Sequence, residues 1–317
     1  MKSARLQLQQ GGYLMSKIAV KGVRSVDLDV NDLERNISFY SSVWNLTIVE
    51  RTSESCWFRG TGRYNHILAV HKTRDTPSCR RITFDANDAA MVDAFHSRIT
   101  ESGCKTQNPH ALATPGGGYG FGFEDPEGRN FAIVSDVQDH QDTADVRDRP
   151  RKIIHVNVNA ARIEDTNTFM MDVLGFRLVD HSGPLYFLHC DNTDHASIVT
   201  ATMKTATLNH ISFDMPDLES CMRGGGRMRD AGYPIEWGPG RHGPGNNVFC
   251  YFAGPEEFPL EYTAEVEQID DSYPYNGPEY WKWPVGRLDH WGITPPHTQR
   301  WKRVQDLINF TSGAYAL

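Results

Sequence analysis

Short segments in which apolar and polar residues alternate recur four times along the chain, and each precedes a stretch with helical periodicity. The alternating segments are residues 23–30, 81–86, 153–158 and 209–214. After the first segment, Asp32 is placed to cap a helix whose apolar positions recur every three or four residues. Further short strands, separated by glycines, follow each predicted helix. This pattern predicts four βαβββ modules.

The four modules group into two halves. The polar and charged segment 139–150 separates them and is predicted as a linker. We therefore predict an α+β protein with two tandem domains, residues 19–138 and 151–270, each of two βαβββ modules that form an incomplete barrel. Residues 1–18 have no regular pattern and are predicted as a loose leader, and residues 271–317 are predicted as a C-terminal extension.

The two halves differ at three strand positions that the repeat makes equivalent. The residues are Ser25, Arg81 and Ala132 in the first half and His155, His210 and Glu261 in the second. Two histidines and one carboxylate on separate strands form the facial arrangement that binds Fe(II) and leaves coordination positions open. A single strand histidine is more often an ordinary core residue, but three such coincidences favour a metal site in the second half.

Composition and charge exclude several classes of protein. The chain has 317 residues with 32 lysines and arginines against 40 acidic residues, a net charge of −8, and no basic cluster typical of nucleic-acid binding. No apolar run approaches the roughly 18 residues of a membrane span. The N-terminal segment is too polar for a secretion signal, which predicts a cytoplasmic protein. The six scattered cysteines are predicted to be reduced, mostly buried thiols.

Other catalytic motifs find little support. No G-x-S-x-G sequence is present, which disfavours a serine hydrolase. The glycine runs 116–118 and 224–226 lack the lysine and hydroxyl residues of a phosphate-binding loop. Both runs are predicted as turn or helix-end glycines.

Several motifs of the second half match a known family. They are Leu-Asn-His-Ile-Ser-Phe at 208–213, Trp-Gly-Pro-Gly-Arg-His-Gly at 237–243, and Asn-Asn-Val-Phe-Cys-Tyr-Phe at 246–252. Through these motifs, residues 20–290 resemble the type I extradiol ring-cleaving dioxygenases of the vicinal oxygen chelate superfamily. The resemblance implies that His155, His210 and Glu261 bind a metal, usually Fe(II) and occasionally Mn(II). It also implies a homo-oligomer.

The resemblance also implies roles for residues around the metal. His195 matches the acid/base histidine, with His189 as its competitor. His242 and Tyr251 are predicted to bind the substrate and to stabilise its developing negative charge. The tract 254–257, Gly-Pro-Glu-Glu, departs from the Asp-Pro-x-Gly turn that the family commonly has before the ligand glutamate.

The substrate is predicted from the aromatic residues of the second half. Phe187 is expected to form an apolar wall around an aromatic ring, and Asn247 is expected to contact the substrate. The aromatic-rich extension, with Tyr273 and Trp281 among its residues, either lines the pocket or packs on the outer surface.

These inferences combine in one predicted function: Fe(II)-dependent extradiol cleavage of a substituted catechol by O2 to a muconic semialdehyde-type product. A bicyclic diol or a trihydroxylated ring is an alternative substrate. A metal-free binding protein of the same superfamily is an alternative of a different class. Isomerases and lyases of the superfamily use Zn or Ni. A glyoxalase-type isomerase usually brings more carboxylate ligands and a basic site for glutathione.

Overall fold

The computed structural model describes residues 18–317, and the strands in this part of the chain form two mixed β-sheets. The predicted leader lies outside the described residues except for Ile18. Each half of the chain contributes eight strands to one sheet, and a short ninth strand joins the second sheet. The prediction of an α+β protein with two tandem, incomplete barrels is confirmed, whereas the domain boundaries stay predictions.

The first sheet contains eight strands. They are β1 (Gly22–Val30), β2 (Thr47–Arg51), β3 (Ser55–Arg59), β4 (Leu68–Lys72), β5 (Ser78–Asp85), β6 (His110–Ala111), β7 (Tyr119–Glu124) and β8 (Asn130–Ser135). Their order across the sheet is β2-β3-β4-β1-β5-β8-β7-β6. Strand β1 is parallel to β4 and β5 is parallel to β8, and the two modules meet at the antiparallel β1–β5 pair.

The second sheet repeats this arrangement. Its strands are β9 (Ile153–Ala160), β10 (Arg177–Ser182), β11 (Leu185–His189), β12 (Ile198–Thr202), β13 (Thr207–Asp214), β14 (Trp237–Arg241), β15 (Val248–Ala253) and β16 (Pro259–Ala264). The order is β10-β11-β12-β9-β13-β16-β15-β14, and β17 (Ile308–Asn309) pairs with β13. The edge strands β10 and β14 leave this barrel open too, so its concave face is accessible from one side.

Five α-helices accompany the sheets within residues 18–317. They are α1 (Leu33–Ser38), α2 (Ala89–Glu101), α3 (Ile163–Thr168), α4 (Leu218–Asp230) and α5 (Gln299–Val304). As predicted, Asp32 caps α1 by accepting a hydrogen bond from the backbone N–H of Arg35. Helix α1 continues in a wider π-helical turn, Phe39–Val43, that periodicity did not predict. This turn places Phe39 and Trp44, five residues apart, on the same buried side with stacked rings.

One sequence prediction about glycines is wrong. Gly116, Gly117 and Gly118 form a turn with positive φ angles, as expected, but the run 224–226 lies inside α4 rather than at its end. A Cβ on Gly224 would lie 2.8 Å from Cε2 of Tyr262, so the missing side chain lets α4 pack directly on β16. Close packing against the ring outweighs the helix-weakening effect of glycine.

At the domain interface, one glutamate of each domain accepts hydrogen bonds from backbone N–H groups of the other domain. Glu127, in the turn before β8, accepts hydrogen bonds from the backbone N–H groups of Ala161 and Arg162 (2.9 and 2.7 Å), where α3 begins. Glu256, in the turn before β16, accepts from the N–H groups of Asn31 and Asp32 (3.0 and 2.9 Å), where α1 begins. The tract 254–257 differs in sequence from the family's usual turn, but it has a structural role. Its Glu256 accepts hydrogen bonds from backbone N–H groups at the start of a helix in the other domain.

A second interface contact supports the strand that carries Glu261. Trp44 is fully buried and stacks on Tyr262 with the ring centroids 3.8 Å apart. Its edge also meets the rings of Phe213 and Phe252. The first domain thus packs against the back of β13, β15 and β16.

The last residues of the chain return to the first domain. After β17, the Thr311 hydroxyl donates to Asp29 (2.6 Å), and the Arg81 guanidinium donates to the carbonyl of Ala316 (2.7 Å). A Cβ on Gly122 would lie only 1.6 Å from the carbonyl oxygen of Tyr315. Residues 308–317 therefore link the second sheet to the concave face of the first, where glycine is required for the close approach.

The structure also bears on two predictions from composition. No helix in the described part of the chain is long and apolar enough to cross a membrane. All six cysteines carry free thiols, with Cys104 partly exposed and the other five buried, which confirms the predicted thiol state.

We predict that Trp44→Ala lowers the free energy of unfolding by about 3–5 kcal/mol, the usual cost of a large-to-small change in a core. Urea denaturation followed by circular dichroism measures this value. Ile48, whose side chain is 40% exposed on β2, provides the control, and Ile48→Ala is expected to cost less than about 0.5 kcal/mol. Equal losses for both variants would contradict the assignment of Trp44 to the domain interface.

Candidate metal centre

Three side chains that the sequence singled out meet on the concave face of the second sheet. His155 lies on β9, His210 on β13 and Glu261 on β16, three neighbouring strands. Ser212 pairs with both His155 and Glu261 in the register of the sheet, so these two residues lie at the same level. One potential ligand atom from each of the three residues lies within 4.8 Å of the other two.

The distances within this triad are short. The Nε2 atoms of His155 and His210 are 3.2 Å apart, and each is 3.3 Å from Oε2 of Glu261. Glu261 has no exposed surface, and among residues 18–317 its carboxylate has no backbone N–H, Lys or Arg partner and faces the imidazoles of the site instead. A buried carboxylate with so little compensation is costly, whereas a divalent cation would satisfy both oxygens. The donor set therefore fits a metal ion.

The protonation of the triad favours metal binding. Burial alone would raise the pKa of Glu261, but the adjacent imidazoles of His155, His210 and His242 hold it well below its usual range, so the carboxylate is ionised. Burial lowers the pKa of His210, which favours the neutral form. A carboxylate must be ionised and an imidazole must be neutral at the binding nitrogen before either can bind a metal.

A residue next to His210 orients its ring. The Oδ1 atom of Asn209 lies 2.9 Å from Nδ1 of His210, so Nδ1–H donates to this amide and Nε2 is left as the acceptor facing the triad. The amide nitrogen of Asn209 in turn donates to Asn159 (2.8 Å). Sequence analysis missed Asn209, although its position beside His210 within the 208–213 motif was a usable signal.

His242 and Tyr251 lie beside the triad. Nε2 of His242 is 2.8 Å from the Tyr251 hydroxyl and 3.7 Å from Oε1 of Glu261. The His242 ring stacks on Phe249, with the centroids 3.9 Å apart. Burial, together with the charge of Glu261, raises the pKa of Tyr251 well above its usual value, so the hydroxyl keeps its proton.

His195 is buried in the wall of the same cavity, and it pairs with a carboxylate that sequence analysis did not single out. Its Nε2 atom contacts Asp180 of β10, and its ring lies between the rings of Phe187 and Tyr273. His189 instead makes a hydrogen bond through Nδ1 to the carbonyl of Asp194 (2.8 Å). Asp180 lies outside every motif, so the sequence held no signal for it.

A cavity of about 680 Å³ opens in front of the triad. Its wall includes the triad histidines, His195, His242 and Tyr251, together with Phe187 and Asn247. The amide nitrogen of Asn247 donates to Thr263 (2.7 Å). Trp281 and Trp283 of the predicted extension also line the cavity, so part of the aromatic tail faces the pocket. Tyr275 and Tyr280 are exposed.

Trp301 of α5 was also missed by sequence analysis. It is buried against Tyr251, with the ring centroids 4.9 Å apart, and it lines the cavity near His210. It comes from the far end of the chain, and no motif surrounds it.

The equivalent positions of the first sheet hold a different cluster. Arg81, the counterpart of His210, donates to Asp27 (2.9 Å), and both side chains are buried. Ser25 and Ala132, the counterparts of His155 and Glu261, offer no imidazole or carboxylate. On the concave face of the first sheet, the positive charge that compensates the buried Asp27 therefore comes from the guanidinium of Arg81.

The family model for the Glyoxalase/Bleomycin resistance protein/Dioxygenase superfamily matches residues 22–133 and 152–262. The chain belongs to this superfamily. The two matched segments coincide with the two sheets, which agrees with the predicted repeat and with the resemblance to the vicinal oxygen chelate proteins.

Relatives in this superfamily include extradiol ring-cleaving dioxygenases. Metapyrocatechase 2 of Cupriavidus necator is 30% identical over 180 residues, which cover 54% of this chain and 51% of that protein. The chain thus spans about half the length of this relative. The manganese-dependent 2,3-dihydroxybiphenyl 1,2-dioxygenase of Geobacillus genomosp. 3 is 22% identical over 250 residues, 71% of this chain and 78% of that protein.

A solved structure is similar over nearly the whole chain. The Mn(II)-bound glyoxalase from Novosphingobium aromaticivorans is 34% identical, with a TM-score of 0.83, and the match covers 89% of this chain and 94% of that protein. A protein solved with bound Mn(II) therefore has this fold.

We predict that the chain binds about one Mn(II) or Fe(II) ion and that His210→Ala and Glu261→Gln each weaken binding more than about 100-fold, beyond the loss typical of changes to residues that support the ligands. The first change removes one of the three proposed ligands, and the second replaces an anionic ligand with a neutral amide. Titration calorimetry with Mn(II), together with metal analysis after gel filtration, measures the effect. His290→Ala, which changes an exposed histidine of the same half, is the control. Unchanged affinity in His210→Ala would exclude the triad as the site.

Proposed function

We propose that the protein is a metal-dependent extradiol dioxygenase that uses O2 to cleave a substituted catechol next to its two hydroxyl groups. The observation that carries the proposal is the triad of His155, His210 and Glu261 beside the hydrogen-bonded pair His242 and Tyr251, at the base of a partly aromatic cavity. The names of two relatives, a metapyrocatechase and a dihydroxybiphenyl dioxygenase, support it.

We propose Fe(II) as the metal, with Mn(II) as the alternative. The two imidazoles and one carboxylate fit both ions. A bound ion would polarise the two hydroxyl oxygens of a catechol and leave a coordination position for O2. The names of a relative and of a similar structure specify manganese, which keeps Mn(II) in the proposal.

His242 and Tyr251 are proposed to stabilise negative charge on the substrate oxygens. The Tyr251 hydroxyl is buried and protonated, so it can donate a hydrogen bond to an oxygen near Glu261. The 2.8 Å contact with His242 orients that hydroxyl. Phe249 and Trp301 exclude water around the pair.

His195 is proposed to deliver the proton required when the bond between the two oxygen atoms breaks. An imidazole suits this task because it exchanges protons near neutral pH. Its place in the wall of the cavity that also holds the triad histidines supports this role.

The cavity favours a catechol with a substituent or a second ring. Its volume, about 680 Å³, lies well within the range of pockets for molecules larger than a single ring. Arg287 lines the wall and has no ion-pair partner in the part of the chain that the structure describes, so it can receive an acidic substituent. Arg241 pairs with Glu265 instead.

A second candidate function follows from one comparison. The similar Mn(II)-bound structure is named a glyoxalase, so an isomerase of the same superfamily must be tested beside the dioxygenase. The triad has a single carboxylate, whereas a glyoxalase-type site usually has more. This difference favours the dioxygenase.

We predict ring cleavage after anaerobic reconstitution with Fe(II) or Mn(II). The panel comprises 3-methylcatechol, 4-methylcatechol, 3,4-dihydroxyphenylacetate and 2,3-dihydroxybiphenyl, each exposed to air. A yellow product with one O2 consumed per catechol is expected, because extradiol cleavage incorporates both oxygen atoms. Absorbance and an oxygen electrode measure the two quantities. Glu261→Gln is the inactive control.

The same preparation separates the alternatives. Isomerisation of the methylglyoxal–glutathione adduct without oxygen uptake would replace the dioxygenase with the isomerase. Stoichiometric metal without either activity would exclude the substrates of the panel. A failure to bind either metal would favour a binding protein.

We also propose a cytoplasmic homo-oligomer. Free thiols at all six cysteines are typical of reducing compartments. The extension exposes several large apolar side chains, which is typical of surfaces that bind another protein. They are Tyr275, Tyr280, Val285, Leu288 and Ile293.

We predict that light scattering after gel filtration gives a mass that is a multiple of the single chain. Replacing Val285 and Ile293 with serine is expected to shift the mass toward the monomer, because it removes apolar surface. Ile48→Ser, on the first sheet, is the control. A monomeric wild-type protein would contradict the proposal.

A further inference from the structure

Asp180 stands out among the carboxylates around the cavity because it is fully buried and has no Lys or Arg partner in the described range 18–317. Three other donors surround it. Nε2 of His195 and the Tyr273 hydroxyl (3.1 Å) contact Oδ2, and the indole N–H of Trp281 donates to Oδ1 (2.9 Å). A buried carboxylate needs such donors, since each unsatisfied lone pair is costly.

This contact defines how His195 is held. A ring that donates from Nε2 to a carboxylate has its Nε2 protonated, so the contact fixes the plane of the imidazole and leaves Nδ1 as the nitrogen that takes up the transferable proton. The imidazolium formed in this way gives up the Nδ1 proton and returns to the Nε2–H tautomer, while the carboxylate balances its charge. On the opposite edge, Gly245 approaches closely, and a Cβ there would lie 3.1 Å from Nδ1. The backbone N–H of His195 donates to the carbonyl of Glu267 (3.0 Å). The ring is therefore restrained on two edges.

The extension supplies two of the three donors to Asp180. Asn276 pairs with β10 through two backbone hydrogen bonds of 2.9 Å, one to Val179 and one from His181, on either side of Asp180. This pairing places Tyr273 and Trp281 over the carboxylate. Trp281 also lines the cavity, so one side chain contacts both the carboxylate and the space for the substrate.

We propose that Asp180 is a positioning residue that holds His195 for proton transfer, and that the C-terminal extension completes this arrangement through Tyr273 and Trp281. This inference rests on the proposed function, since it assigns a supporting group to the proposed acid. It gives the extension a task in turnover beyond covering the barrel.

A double-mutant cycle tests the proposal. Asp180→Asn keeps the size of the side chain and removes its charge, and it is expected to lower kcat about 100- to 1000-fold, within the range of general acid catalysis, with a much smaller change in KM. In a His195→Phe background the same change should have little further effect, because the group through which it acts is gone. A merely structural role would lower kcat in both backgrounds.

Two further variants test the extension. Tyr273→Phe and Trp281→Phe each remove one donor and keep the ring, and each is expected to lower kcat less than Asp180→Asn does. Asp289→Asn is the matched control, because Asp289 is a buried carboxylate of the extension that, among residues 18–317, accepts from the backbone N–H groups of Trp291 and Thr294 and contacts no imidazole. Its kcat should stay within about twofold of the wild type.

A measurement without turnover separates this proposal from the proposed function. In the metal-free full chain, proton NMR should show a downfield imidazole N–H resonance that disappears in both Asp180→Asn and His195→Phe. The positioning role would be overturned if the wild type is active and Asp180→Asn has the same kcat. It would also be overturned if the resonance persists in Asp180→Asn. An inactive wild type that shows the expected resonance would overturn the proposed function and its proton transfer while upholding the contact.

Discussion

The carboxylate of Glu261 is the constraint on which the second domain depends. It is ionised and completely buried, and it has no backbone N–H, Lys or Arg partner in the described chain. Such a group is tolerated only where a cation compensates it. The neighbouring imidazoles of His155 and His210 complete the proposed set of ligands. The buried charge that is costly on its own is thus the charge that would attract a metal ion.

Much of the rest of the fold keeps this carboxylate in place. The glycine run in α4 allows the helix to lie against Tyr262, the residue after Glu261, and Trp44 of the other domain stacks on the same ring. Glu256 ties the turn before β16 to the start of α1. The described part of the first domain contributes no residue to the triad, but it packs on the strand that carries Glu261.

The sequence predicted the site better than its surroundings. Period-two strands fix which residues share a face, and the repeat fixes the register between strands, so His155, His210 and Glu261 were found without a structure. The glycines of α4 were misjudged because propensity says nothing about a ring lying against a helix. Asp180 and Trp301 were missed since their contacts join segments far apart in sequence and no periodic signal encodes such contacts.

The return of residues 308–317 to the first sheet has a consequence for how the chain reaches its final state. A growing chain folds its domains as units in the order of synthesis. Here Arg81 and Gly122 belong to the first half, and their partners Ala316 and Tyr315 emerge after the entire second domain. The domain that leaves the ribosome first is therefore the one that is completed last, and its concave face stays open until the second domain has been translated.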